Sequence, residues 1–159
     1  MKTLSEIEQE VIRHAETIGA PSSLFPTFGH TEDFARPHIE VDHRGYHWVV
    51  VERGMEQQRF TTQDLDDLLY RIFEAITFSL ACNYELQNRD ELKDCRRLIF
   101  KHQIDLLECL SNEWATKEEK DHARILQSHP FDDLSGVRAR LTTEIGWDKA
   151  CEKYPLPTT

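Results

Sequence analysis

No stretch of this 159-residue chain approaches the run of about 20 apolar residues that a membrane-spanning helix needs. The N-terminal segment MKTLSEIEQEVIRHAE carries charges where a secretory leader would need a continuous apolar stretch. The chain is therefore expected to stay in the compartment that makes it, the cytoplasm, and not to engage a membrane. Cysteine is scarce: Cys82, Cys95, Cys109 and Cys151 are widely spaced and form no CxxC pair. That spacing excludes a zinc site built from two close cysteine pairs and predicts reduced thiols rather than a disulfide framework. Positive charge is also short, with 19 Lys and Arg against 29 Asp and Glu, a net charge of −10. Such a surface repels phosphate backbones and anionic lipid, so nucleic acid is not the expected partner, whereas a basic protein would be drawn to it. The motifs of common enzymes are missing too: no P-loop, no dinucleotide fingerprint and no nucleophile elbow. No cofactor is expected.

What the chain does have is enough apolar content, 39% beside 30% charged residues, to bury a core without covalent staples. No internal repeat or long linker divides it, which predicts a single domain over residues 1–159.

Leu4, Ile7, Val11, Ala15 and Ile18 recur at three- and four-residue steps, predicting an amphipathic helix capped by Thr3 or Ser5 and ended by Gly19 and Pro21. The stretch APSSLFPTFGH then reads as an irregular loop tucked down by Leu24, Phe25 and Phe28. His38–Asp42 alternates polar and apolar, Tyr46–Arg53 is rich in aromatic and β-branched residues, and Gln57–Thr61 can add a third strand. With turns at His43-Arg44-Gly45 and Gly54, the expectation is a three-stranded antiparallel meander confined to residues 38–61. From Thr62 the pattern becomes helical: a helix to about Tyr84, then segments near Asp90–Leu110, Trp114–Gln127, Leu134–Glu144 and Trp147–Tyr154. In the second of these, Cys95, Leu98, Ile99, Leu106 and Leu110 are expected to face inward. Helix first, strands next and a helical C-terminal half packed on the sheet make an α+β fold.

Three constellations carry possible chemistry. His38, Glu40 and Asp42 alternate along one strand, so all three share a face, and imidazole with carboxylates suits zinc, iron or manganese. The polar face of a half-covered sheet produces the same alternation, and no second ligand pair stands out; the expectation is no metal there. His30, His43 and His47 lie in the same region, where one of them beside Glu40 or Glu52 would have the parts of a general base and its orienter. Arg96 and Arg97 point about 100° apart on a helix, so they do not form one clamp. One is expected to pair with a carboxylate while the other lies at the helix edge. These features leave a small metal-dependent or hydrolytic enzyme on the His38/Glu40/Asp42 face, and a general protein-interaction subunit, as alternatives to a dedicated binding protein.

Five stretches stand out in order: ARPHIEVD at 35–42, RGYHWVVVERG at 44–54, TTQDLDDLLYRIFEAITFSLACNYEL at 61–86, CRRLIFKHQIDLLECLSNEW at 95–114 and ILQSHPFDD at 125–133. Taken together they resemble the Immunity protein 63 family of bacterial polymorphic toxin systems. The resemblance implies an α+β protein without enzymatic activity, made beside a toxin and neutralising it by stoichiometric binding. Within the matching stretches, Arg36, Trp48, Arg97, Phe100, Gln103 and Trp114 are expected to be scaffold. Many antibacterial toxins act on nucleic acid and carry basic sites; a basic nuclease domain would meet an acidic surface mimicking phosphate. The candidate toxin contacts are Glu40 and Asp42 on the strand, Asp66 and Asp67 at a helix start, and Asp132 and Asp133 after Pro130. Glu118 and Glu119, on a lysine-rich helix, are expected to be solvated and outside the interface.

Overall fold

The computed structural model describes residues 1–157, in an α+β arrangement of six helices and one four-stranded sheet among the described residues. Helix α1 spans Leu4–Ile18. It begins with a capping box, in which Thr3 accepts from the Glu6 amide and Glu6 reaches back to the Thr3 amide at 2.8 Å. It ends at Gly19 in the left-handed region, where glycine alone carries no Cβ penalty. Its inward stripe is Ile7, Val11 and Ala15, as the sequence spacing predicts.

The sheet runs in the order β1 (Thr27–Phe28), β2 (Phe34–Asp42), β3 (Gly45–Glu52), β4 (Met55–Thr62). Strands β2, β3 and β4 form the expected antiparallel meander, but β2 begins at Phe34 and β4 at Met55, earlier than the alternation suggests. The sheet is not wholly antiparallel either: β1 pairs parallel with His38 and Ile39 of β2. A link shorter than a helical crossover suffices because only two residues pair. Segment 29–37 doubles back through three left-handed residues, Gly29, Asp33 and Ala35. The Asp33 carboxylate receives the Gly54 amide at 2.7 Å and so ties this return to the β3–β4 turn. That turn places Arg53 (φ 54°) and Gly54 (φ 72°) successively in the left-handed region, the pairing that matches the twist of two adjoining strands. At the other end of β3 a side chain on Gly45 would run into the carbonyl of Thr62, so glycine is required there for close backbone approach.

Helix α2, Leu65–Gln87, is 23 residues long. Residues cluster by contact into two compact units, Met1–Thr77 and Phe78–Thr159, whose division falls inside this helix. In the first unit, α1 and the leading half of α2 serve one face of the sheet. The Lys2 amide donates to the Tyr46 hydroxyl at 2.8 Å, the Arg71 guanidinium lies 4.5 Å from the Trp48 ring centre, and His14 packs on Phe73 at 5.5 Å. Ile39, Val49, Leu68, Ile72, Phe73 and Ile76 are at most 2% exposed and form the core of this unit.

The second unit is helical: α3 (Cys95–Glu108), α4 (Asn112–Ser128), α5 (Ser135–Ile145) and α6 (Trp147–Lys153) follow the tail of α2. Helix α3 starts at Cys95, not near Asp90, because Asp94 is its N-cap and accepts from the Arg96 amide at 2.9 Å. Its buried residues are Ile99, Gln103 and Leu107, so the inward face is rotated from the one apolar counting selects, and Cys95 is exposed. All four cysteines are free thiols. Arg138 of α5, only 1% exposed, donates to the carbonyls of Tyr154 and Pro155 at 3.1 and 3.0 Å and to the Asp132 carboxylate. No helix among the described residues is long and apolar enough to cross a membrane.

Ile39 is fully buried in the first unit's core. Ile39→Ala should lower the free energy of unfolding by about 2–5 kcal/mol; a urea titration of the two proteins measures the difference.

Candidate functional site

The strand register settles how the polar residues of the sheet meet. Glu40 lies opposite His47, which lies opposite Thr61; His38 lies opposite Val49, which lies opposite Arg59. His38, Glu40 and Asp42 therefore share a face, and His47, whose side the sequence left open, belongs to the same face. The side chains then pair off among themselves. His47, 1% exposed, has Nδ1 at 2.9 Å from the Thr61 hydroxyl and Nε2 at 2.8 Å from the Asp42 carboxylate. Asp42 also accepts from the Arg44 amide at 2.8 Å and from its guanidinium at 2.9 and 3.0 Å. Glu40 lies 3.1 Å from His38 Nε2 and accepts from Arg59 at 2.8 Å, while Arg59 also donates to Glu56 at 2.7 and 2.9 Å.

This cross-strand network explains the electrostatics. The Arg59 hydrogen bond, helped by His38, holds the Glu40 carboxyl below its usual range against the opposing effect of burial. Asp42 is held well below the usual carboxylate range by Arg44 first and His47 second. A metal would have to displace these partners, and no group of three or more His, Cys, Asp or Glu side chains among the described residues is placed to hold one. His30, His43 and His47 do not assemble into one site. The imidazole of His30 contacts the Phe28 carbonyl at 3.2 Å, His43 is exposed in the β2–β3 turn, and Glu52 lies at the far end of β3.

The remaining candidates fall into two places. Asp66 and Asp67 occupy the first turn of α2, with Asp66 exposed and Asp67 half-buried. Asp132 and Asp133 belong to a clasp between the start of α3 and the segment before α5. Asp94 accepts from the Asp132 amide at 2.8 Å, and Asp133 accepts from the Asp94 amide at 3.0 Å. Arg97 donates to Asp133 at 2.7 and 3.0 Å, and Asp132 receives Arg138. Arg96 donates to Asp94 and to the carbonyls of His129 and Pro130, both at 2.9 Å. Both arginines are thus engaged, where only one was expected to be. Burial pushes Asp94 up, yet its bonds with Arg96 overcome this and hold it low; Arg97 does the same for Asp133. Asp94 is a structural residue that sequence reading missed, although an aspartate directly before an apolar helical pattern is itself an N-cap signal.

Glu118 is not solvated. It is 6% exposed and lies 3.1 Å from His122, which is 3.1 Å from Gln103 and stacks on Phe100 with ring centres 3.8 Å apart. Glu119, one residue on, is exposed. Gln103, Trp48 and Trp114 are all buried, and Arg36 donates to the Phe25 carbonyl at 2.9 Å, which fits the scaffold role the resemblance gives them.

Two expectations follow from this geometry. Glu40 and Asp42 ionise more easily folded than at their ordinary values of 4.5 and 3.8. Their stabilisation is therefore complete above about pH 4.5 and is lost as pH falls through the lower folded values. Combining Glu40→Gln with Asp42→Asn should flatten the acid limb of a plot of thermal midpoint against pH. Removing the buried partner of His122 by Glu118→Ala should cost about 1–3 kcal/mol, whereas Glu119→Ala should be close to neutral; chemical denaturation of both variants gives the contrast.

Comparison with known proteins yields one family. No curated protein and no solved structure matches the chain. The family model described as Immunity protein 63 matches residues 42–124, more than half of the sequence, from the end of β2 through most of α4. The chain belongs to the Immunity protein 63 family.

Proposed function

We propose that this protein neutralises a cognate bacterial toxin domain by forming a one-to-one complex with it, acting by occupancy and not by turnover. Family membership carries the reading. The net charge of −10 supports a basic partner, such as a nuclease whose site is built to receive phosphate. On the sheet, His47 is held by Asp42 and Thr61 and Glu40 by His38 and Arg59, while Nδ1 of the buried His38 has no hydrogen-bond partner among the described residues; the paired groups suit a rigid surface better than a reacting centre.

The proposed contacts are Glu40, Asp42, Asp66, Asp67, Asp132 and Asp133. Their intramolecular roles differ, and so does the reading of any substitution. Asp132 and Asp133 anchor the α3 clasp, so charge reversal there would disturb the fold along with any interface. Asp66 is exposed in the first turn of α2, where a negative charge also suits the helix's positive end, so its reversal is read on affinity together with a thermal melt.

The test is co-expression with the toxin domain encoded beside this chain, followed by titration of protection against toxin dose. Protection should saturate near one molecule per toxin, and association should slow as salt rises because screening weakens long-range attraction. Protection far below stoichiometry would overturn occupancy in favour of an enzyme. Failure to bind that toxin domain would remove the immunity reading.

A further inference from the structure

Helices α3 and α4 are joined by only residues 109–111, and Phe100 and Gln103 meet His122 well away from that turn, so the two helices run antiparallel. Along their outer side lies an open groove of about 570 Å³. Its apolar floor is Phe100 and Ile104 of α3, Leu126 of α4 and Phe131 beyond it, all only half-buried. Phe100, Ile104 and Glu108 follow each other at four-residue steps, as do Glu119 and Ala123 on the facing helix. Rows at that spacing are the ridges between which another helix seats its own side chains. Ala123, exposed and small, leaves a gap within its own row.

The floor is fixed before anything binds. Phe100 is stacked on His122, which is held by Glu118 and Gln103; Phe131 lies under the Arg97 guanidinium at 4.2 Å, and Arg97 is itself tied to Asp133. Binding to such a surface avoids the entropy of ordering it. Charge is unevenly spread along the groove. At the Phe131 end Arg97 is neutralised by Asp133, and Lys101 is paired with Asp105 at 2.6 Å. Glu108 and Glu119 then leave the opposite end negative.

We propose that this groove is the docking site for an amphipathic helix of the toxin. Its apolar stripe lies along Phe100, Ile104 and Leu126, and its basic residues sit over Glu108 and Glu119, which puts Glu119 inside the interface, against the expectation from sequence that it lies outside. The inference rests on the immunity reading and adds to it a surface and a partner chemistry. The rim supplies the charge complementarity, and the floor supplies the aromatic and aliphatic pockets in which binding energy concentrates.

The experiment measures the affinity of full-length protein for the purified toxin domain encoded beside it, together with the solution mass of each variant alone. Ala123→Arg fills the gap and places a cation where the partner's own must lie; Glu119→Lys reverses the rim. Both positions are exposed, and thermal melts should match wild type. The expected result is a loss of about tenfold or more in affinity for Ala123→Arg and a smaller loss, greatest at low salt, for Glu119→Lys. Methyl resonances of Ile104 and Leu126 should shift when toxin is added to wild type, a readout that needs no variant. Unchanged affinity of both variants with unshifted methyls, while wild type still binds, would overturn the groove and leave the immunity reading standing. A wild-type dimer broken by Ala123→Arg without effect on toxin binding would assign the groove to a second copy and overturn the proposal. Absence of any wild-type binding would remove both readings.

Discussion

Strand β3 is buried along most of its length, and the first unit is arranged around that requirement. Tyr46 and Trp48 point to one face and are met by α1 and α2. His47 and Val49 point to the other and are even less accessible. An apolar side chain needs only contact, but an imidazole also needs partners for its nitrogens. Asp42 and Thr61, one on each neighbouring strand, provide them. The meander's register is thereby specified twice, by apolar packing on one face and by hydrogen bonds on the other. A slip of one residue would lose both.

What was legible in the sequence followed from periodicity. Helix α1, with its cap and glycine stop, and the antiparallel core of the sheet came directly from spacing. Strand β1 did not, because two residues between a proline and a glycine carry no period; its parallel pairing is a product of tertiary packing. The phase of α3 was misread for a related reason. Counting apolar residues selects Cys95 and Leu110, while the helix buries Gln103 instead, and α4 buries Glu118 and His122. Those polar groups are inside because they satisfy one another across the helix pair, a condition visible only when both helices are placed.

The candidate contacts were legible as charges but not as partners. Acidic residues near a helix start or on a strand can be read from a sequence, whereas the arginines that meet them lie 36 positions away for Asp133 and 19 for Glu40. Once paired, such carboxylates orient strands and loops, and the negative field felt by an approaching partner comes from the whole distribution. Arg59, Arg44 and Arg97 keep Glu40, Asp42 and Asp133 respectively ionised into acid, so that field persists well below neutrality.

Arg138 gives the C-terminal residues a part in holding the second unit together. Its buried guanidinium draws two of its acceptors from the carbonyls of Tyr154 and Pro155, backbone atoms that any side chain there would supply equally well. Selection on the identity of those residues can therefore be weak while selection on their presence is strong. A protease that cut before Tyr154 would remove both carbonyls and leave the buried guanidinium with Asp132 alone. Tyr154 and Pro155 thus act as a latch whose removal is felt at α5.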